Sequence, residues 1–294
     1  MIKQRYHGKA ILLFLSITIL NFPLSASAKD KLYWLEAVAP PFFIHEGPLA
    51  GQGYEDLITD ILEEQLPQFE HIHMQATISR HYQQWKQGEN ACSLAMYKTP
   101  ERDEFVYFSK ASVFTLPPVL IIRKDRFEDF GGKKVVRLAD LLKEGKMVIG
   151  RSKNRSYGPG FDKSLNDYGN SKNIYAYEGP ELTLNLFKML LAKRVDALAG
   201  LPEEAMYLAE TLGFRDKIMT INVSENLEDH ESMITYVACS KTDWGKKTIE
   251  TINTILTKER PTERYRAAYE RWLDPSSVAD YRKMYADIFL KQDK

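Results

Sequence analysis

The segment 99–102, Thr-Pro-Glu-Arg, has the residue types and spacing best suited to ligand chemistry in this chain. It follows the short apolar run 92–97, which predicts a buried strand. A guanidinium at the carboxyl end of such a strand can hold a small carboxylate through two parallel charge-assisted hydrogen bonds. Arg102 is therefore a candidate ligand residue, with Thr99 beside it. The alternative is structural, because a surface arginine also pairs with neighbours such as Glu101, Asp103 or Glu104.

Aromatic residues are the next candidates, since ring faces commonly form the walls of ligand pockets. They stand at or just after predicted strand ends: Phe42 or its neighbour Phe43, Tyr54, Tyr97 and Phe114 in the first half of the chain, and Tyr157 in the second. Each is equally compatible with an ordinary hydrophobic core. We take Phe42, Tyr54, Tyr97 and Tyr157 as candidate ligand contacts.

Glu36 lies on the first predicted strand and can point into a cleft. A buried carboxylate without a partner is costly, so we expect Glu36 to pair with Arg102 or with a cationic group of a ligand.

Motifs of catalysis are not found in this sequence. It has no Gly-x-Ser-x-Gly turn, no His-Glu-x-x-His helix and no phosphate-binding glycine loop. His71 and His73 alternate on a predicted strand, but further metal ligands cannot be placed, so structured surface histidines are the better interpretation. Forty Lys and Arg residues are interspersed with 40 Asp and Glu, which disfavours nucleic-acid binding. We predict no catalytic residues, no cofactor and no metal; the protein is not expected to be an enzyme.

Residues 1–28 have the pattern of a secretory signal peptide. A basic stretch precedes the apolar run 10–20, and Ala26-Ser27-Ala28 supplies a cleavage signal after Ala28. An uncleaved N-terminal anchor is the alternative. We expect the mature protein in a bacterial periplasm, with no membrane insertion after cleavage.

The two cysteines of an exported protein are expected to form a disulfide. Cys92 opens one apolar run and Cys239 closes another, so the two meet if these strands are antiparallel neighbours. Two separately buried thiols are the alternative.

The elements that must position these residues alternate between strand and helix. This alternation predicts an α/β fold of two lobes, each a mostly parallel sheet flanked by helices, joined by two extended crossovers. We place the first lobe at residues 29–118 plus 237–294 and the second at residues 119–236. Ligand would bind in the cleft at the carboxyl ends of the strands.

At this level the chain resembles the bacterial extracellular solute-binding proteins of family 3, which have the type II periplasmic-binding fold and bind amino acids. The resemblance covers nearly all of the mature chain and rests on the order and spacing of several short segments: Pro40-Pro41-Phe42-Phe43 with 51–57, Thr99–Arg102 with Phe108-Ser109, Ala139-Asp140-Leu141, Val148-Ile149-Gly150, and 193–197.

The resemblance implies that Arg102 holds a ligand carboxylate and that the loop 151–157 assists, with Ser152 or Ser156 as the hydroxyl. Two departures stand out. Leu201 lies near the position where the family has an acid for the ligand ammonium; Glu203 can substitute, or it is a plain first-turn helix acid. The loop 151–155 is more basic than an amino-acid pocket requires, which points to an anionic ligand or to solvated surface charge.

The expected function is therefore capture of a small carboxylate-bearing solute, an amino acid or related polar metabolite, for a membrane transporter of the ABC type. Presentation of a closed state to a membrane signalling receptor is the alternative, and a cell-wall-related enzyme lobe is a weaker one. The expected partners are the ligand and a membrane permease or receptor, and the protein is expected to be a monomer.

Overall fold

Two separate β-sheets form the framework of the protein. The computed structural model describes residues 29–37, 39–153, 155–178 and 182–292. The predicted signal peptide and its cleavage site lie outside these residues.

The first sheet contains five strands in the described residues, ordered β2-β1-β3-β11-β4. Its strands are β1 (Asp30–Glu36), β2 (Phe69–Gln75), β3 (Ala91–Met96), β4 (Val106–Phe114) and β11 (Ile234–Ser240). Strand β1 is parallel to β2 and β3, whereas β11 is antiparallel to both β3 and β4.

The second sheet contains six strands in the same part of the chain, ordered β6-β10-β5-β9-β7-β8. They are β5 (Val119–Arg123), β6 (Val135–Val136), β7 (Ile149–Ser152), β8 (Ile174–Tyr177), β9 (Ala197–Gly200) and β10 (Ile218–Val223). Strand β5 is antiparallel to β9 and β10, and the other pairs are parallel. Both sheets are thus mixed. The predicted parallel arrangement holds for the strands that alternate with helices, but not for the crossover strands β5 and β11, which enter each sheet from the other lobe.

Helices cover these sheets. They are α1 (Tyr54–Glu64), α2 (Ile78–Lys86), α3 (Pro100–Asp103), α4 (Leu138–Glu144), α5 (Pro159–Tyr168), α6 (Leu182–Leu191), α7 (Pro202–Thr211), α8 (Asp243–Glu259), α9 (Glu263–Glu270) and α10 (Val278–Asp287). Helix α1 shows the principle: Ile58, Ile61 and Leu62 recur at helical spacing and are buried in the first-lobe core. None of the helices in the described residues is long and apolar enough to cross a membrane.

The chain crosses between the sheets twice, from β4 to β5 and from β10 to β11. Strand β11 pairs with the first sheet from its first residue, Ile234 opposite Phe114. Residues 234–236, which the sequence boundaries place in the second lobe, therefore lie in the first sheet. The helices after β11 pack on the same lobe, where Tyr269, Tyr281 and Phe289 join its core.

The predicted disulfide is confirmed. Cys92 and Cys239 are paired positions on the antiparallel strands β3 and β11, and their sulfur atoms are 2.03 Å apart. Since the chain has two cysteines, the alternative of separate thiols does not apply.

Candidate functional site

A cavity of about 260 Å³ lies between the two lobes, beside the crossover segments. The first lobe contributes Phe42, Tyr54, Ala95 and Tyr97, and the second lobe contributes Arg155, Ser156, Gly158, Leu201 and Glu203. The crossovers supply the remaining residues, which are Thr115, Leu116, Pro117, Pro118, Ser232 and, at the start of β11, Thr235. Ligand sites of α/β proteins commonly occupy such crevices.

The first-lobe wall is aromatic. Phe42 packs on Tyr54 with ring centroids 5.2 Å apart, and Tyr54 meets Tyr269 edge to face at 5.2 Å. Burial raises the pKa of Tyr54 well above its ordinary value, so this phenol stays neutral. Tyr97 is about half exposed, and its hydroxyl donates to the Ser232 carbonyl at 2.9 Å. Its ring is therefore accessible while its hydroxyl is held by the second crossover.

Glu203 is the acidic group of the cavity. It lies in the first turn of α7 and is only 1% exposed. The Tyr269 hydroxyl donates to Glu203 Oε2 at 2.9 Å. The oxygen of this hydroxyl accepts from the Leu116 backbone N–H, also at 2.9 Å. Burial raises the pKa of Glu203 to about 8, so the carboxyl group is mostly protonated at neutral pH. The first-lobe Tyr269, a crossover and the second lobe thus meet at this carboxyl.

Arg155 brings a positive charge to the second-lobe wall. Glu204 holds its guanidinium with two hydrogen bonds, Nη1 to Oε2 at 2.7 Å and Nη2 to Oε1 at 3.0 Å. A bidentate pair of this kind neutralises the cation while fixing its orientation.

The loop that carries Arg155, Ser156 and Gly158 is positioned by Asn226. The buried Asn226 amide donates to the carbonyls of Tyr157 (2.9 Å) and Pro118 (3.2 Å), and its oxygen accepts from the Phe161 N–H (3.2 Å). Gly158 has φ +93°, a conformation that favours glycine. Ser156 faces the cavity while its hydroxyl donates to Asp162.

Arg102 lies next to the cavity but is not among the residues that line it. Its Nε donates to the Tyr82 hydroxyl at 2.7 Å, and its Nη1 donates to the Tyr97 carbonyl at 2.6 Å. No acidic side chain of the described residues lies within 4.0 Å of this guanidinium, so pairing with Glu101, Asp103 or Glu104 is not found. Thr99 caps α3 by accepting from the Arg102 N–H at 3.3 Å.

Glu36 is buried, but it does not pair with Arg102. Its carboxylate accepts from His73 Nδ1 and lies 3.5 Å from His45 Nδ1, away from Arg102 and from the cavity. The hydrogen bonds to Glu36 and Glu63 raise the pKa of His73 to about 10. No cluster with metal-binding geometry occurs in the described residues, these histidines included.

Ser152 and Tyr157 lie in the second lobe behind the cavity wall. The Ser152 N–H donates to the Tyr157 hydroxyl at 2.9 Å, and the buried Tyr157 ring packs on Phe161 at 5.3 Å. Ser152 borders a separate small void of about 20 Å³ near Arg155 and Glu204. The other aromatic candidates, Phe43 and Phe114, are buried in the first-lobe core.

Sequence reasoning missed several residues of the cavity, chiefly Arg155, Thr115, Ser232, Thr235 and Ala95. The basic loop 151–155 was a signal for Arg155. The other residues carried no signal, because the sequence does not distinguish an isolated Thr, Ser or Ala at a ligand site from the same residue elsewhere in a strand or crossover.

None of the protein-family models and none of the curated proteins compared matches the sequence. Solved structures do match. An unliganded, open L-cystine solute receptor of Neisseria gonorrhoeae has 13% identity and a TM-score of 0.63, covering 84% of this chain and 93% of the receptor.

Two further structures agree. A polar amino acid ABC uptake transporter substrate-binding protein from Streptococcus thermophilus has 16% identity and a TM-score of 0.62, covering 86% of this chain and 91% of its own. An ancestral cationic amino acid solute-binding protein has 17% identity and a TM-score of 0.61, covering 83% and 95%. At such identities the likeness shows the fold, and this chain has the two-lobed α/β fold of bacterial amino-acid solute-binding proteins.

Proposed function

We propose that this protein is a periplasmic solute-binding protein that captures a small carboxylate-bearing solute, an amino acid or related polar metabolite, between its lobes. One observation carries the proposal: a single cavity takes its walls from both lobes and its remaining residues from the crossovers. A solute in this cavity contacts both lobes at once and stabilises the closed arrangement by its greater affinity for it. A membrane permease of the ABC type would then recognise the closed form.

The similar structures support the ligand class, because they are a receptor for L-cystine and binding proteins for polar and cationic amino acids. The disulfide supports export, since such bonds persist in oxidising compartments such as the periplasm. The predicted signal peptide supplies the route.

Arg102 is the group that we assign to the ligand carboxylate. The other cation near the cavity, Arg155, is already neutralised by Glu204, whereas Arg102 has no acidic partner in the described residues. The bond from Arg102 to the Tyr97 carbonyl places it against a residue of the cavity wall. Ser156 and Glu203 line the same cavity from the second lobe, and Thr99 caps α3, the helix that carries Arg102.

A thermal-shift screen of the purified mature protein tests the function. The panel contains amino acids, hydroxy acids, di- and tricarboxylates, polyamines and small peptides. A ligand at a hundredfold excess over its dissociation constant adds about 2.7 kcal/mol, which raises the melting temperature by several degrees in a chain of this size. Shifts confined to carboxylates support the proposal. A flat screen on folded protein, or shifts from polyamines alone, contradicts it.

Substitution of Arg102 tests its assignment. We expect Arg102→Ala to weaken binding of the best carboxylate about 10- to 100-fold, because charge-assisted hydrogen bonds contribute roughly 1.5 to 3 kcal/mol. Calorimetric titration measures the loss, and Arg102→Lys should recover part of it. Arg264→Ala on α9 is the control, since Arg264 pairs with Glu64 away from the cavity. Unchanged affinity in Arg102→Ala, or a large loss of stability without ligand, would show that Arg102 is structural.

A further inference from the structure

Thr235 is a buried residue of the cavity whose hydroxyl has no hydrogen-bond partner. The residue is 6% exposed, it lines the cavity, and its Oγ1 atom finds no donor or acceptor among the described residues. Buried polar side chains almost always have a partner, because an unmade hydrogen bond is costly. The Oγ1 atom itself has almost no accessible surface, so the Thr235 side chain has to rotate about its Cα–Cβ bond to present the hydroxyl to the cavity; a solute group that bonds it there would remove this cost.

The strand beside Thr235 is distorted at the same cavity. Ala95 on β3 has φ +53°, a left-handed conformation that non-glycine residues rarely adopt. Tyr236 pairs with Met96 and Ala238 with Ser93, so Leu94 and Ala95 together oppose Val237 alone. This is a β-bulge, and bulges and strained residues concentrate next to functional sites. Ala95 itself lines the cavity.

The ionisable groups of the cavity wall already have partners within the protein. Glu204 neutralises Arg155, and Glu203 accepts from Tyr269. The remaining lining residues are uncharged. The unpartnered Thr235 hydroxyl is therefore suited to a neutral polar group rather than to a second charge.

We propose that Thr235 is a ligand-binding and specificity-determining residue, whose hydroxyl hydrogen-bonds an uncharged polar group of the solute, namely a hydroxyl, a carbonyl or an amide. This inference rests on the proposed function and adds to it the chemistry of the solute beyond its carboxylate. Solutes that carry such a group are bound more tightly than otherwise identical solutes that lack it.

The test compares matched compounds on matched variants. The compound pairs differ by one hydroxyl: serine and alanine, threonine and 2-aminobutanoate, and malate and succinate. Thr235→Val removes the hydroxyl at nearly constant shape, and Thr235→Ser retains it. Thr59→Val is the control, because Thr59 is also buried with an unpartnered Oγ1 but lies on α1 outside the cavity lining.

We expect the wild type and Thr59→Val to prefer the hydroxylated member of the pair that binds by about tenfold, the value of one hydrogen bond. Thr235→Val should reduce this preference to near one, and Thr235→Ser should preserve it. Without ligand, Thr235→Val should melt no lower than the wild type, since it removes an unsatisfied group. Equal preference in the wild type and Thr235→Val, or a destabilised unliganded Thr235→Val, overturns the role of Thr235 alone. Failure of every carboxylate in the wider screen to bind the wild type overturns the proposed function, and this role falls with it.

Discussion

At the scale of single residues, the polar groups of the cavity differ in whether they have hydrogen-bond or ion-pair partners within the protein. Arg155 is paired, Glu203 is bonded to Tyr269, and Thr235 is unpartnered within the described residues. Glu203 is the most strongly perturbed of these groups, because burial disfavours its charged form. Glu55, buried on α1, is perturbed for the same reason, with a pKa of about 8. Both groups link the stability of the fold to pH.

Glu203 should make the protein less stable as pH rises toward and past 8. Between the ordinary pKa of 4.5 and about 8, the folded protein holds a proton that the unfolded chain has released, so the free energy of unfolding falls with rising pH across this window. Glu203→Gln keeps an acceptor for Tyr269 and cannot ionise. We expect the variant to gain stability relative to the wild type as pH increases from 6 to 9, measured by urea unfolding.

The difference between variant and wild type isolates Glu203, since Glu55 contributes equally to both. Glu46→Gln, at an exposed loop position, is the control and should give a profile parallel to that of the wild type. A parallel profile for Glu203→Gln as well would show that Glu203 does not titrate in this window.

At the scale of elements, strands β3 and β11 do most to build the site. β3 carries the bulge at Ala95 and leads to Tyr97, whereas β11 carries Thr235. The disulfide joins these strands at Cys92 and Cys239, positions separated by 147 residues in sequence. The whole second lobe lies within the loop that this bond closes. The bond therefore joins the strand before the second lobe, β3, to the strand after it, β11.

Loss of the disulfide should destabilise the fold strongly. Closing so long a loop stabilises the folded state by about 5 kcal/mol in chain-entropy models. We expect the double variant Cys92→Ala/Cys239→Ala to lose several kcal/mol of unfolding free energy in urea, with ligand binding retained at low temperature where it remains folded. Reductant should lower the stability of the wild type and leave that of the double variant unchanged. Insensitivity of the wild type to reductant would contradict the expectation.

At the scale of the whole molecule, the lobes are joined by more than the two crossovers. The segment after α9 also contacts the second lobe: Asp274 accepts from the Thr220 N–H at 3.1 Å, and Arg215 donates to the Leu273 carbonyl at 3.0 Å. Tyr269 reaches Glu203 from the first lobe. These contacts lie on the side of the C-terminal helices and join the lobes in addition to the two crossovers.

Ligand binding should make the molecule more compact. We expect the radius of gyration from small-angle X-ray scattering to decrease when the compound with the largest thermal shift is added at saturation, because the solute stabilises the closed arrangement. Arg102→Ala should require about 10- to 100-fold more ligand for the same decrease, in line with its weaker binding. An unchanged radius for a wild type that is shown to be saturated would mean that binding does not close the lobes.

The sequence by itself determined the arrangement of the molecule at low resolution. Alternating strands and helices predicted two α/β lobes, because local periodicity and propensity decide such elements. The Cys92–Cys239 bond was predicted because the two cysteines of an exported protein are expected to pair. They meet at the start of one strand and the end of the other because the two strands are antiparallel. The candidate ligand residues Phe42, Tyr54, Tyr97, Ser156 and Glu203 all line one cavity, since strand ends and helix starts meet at the same edge of a sheet; their contact with a ligand stays a prediction.

Only the tertiary structure decided which side chains point into the cavity. Tyr157 and Ser152 follow the same loop as Ser156, but they turn into the second-lobe core. Glu36 pairs with His73, which lies on the neighbouring strand 37 residues away. Thr235 lies at the cavity because successive side chains of a strand face opposite sides of the sheet. The bulge in the neighbouring strand β3 shifts the register of the pairing, and so determines which residues of the two strands lie opposite each other there. Such directions depend on register and on contacts between residues far apart in sequence, and local sequence patterns do not contain them.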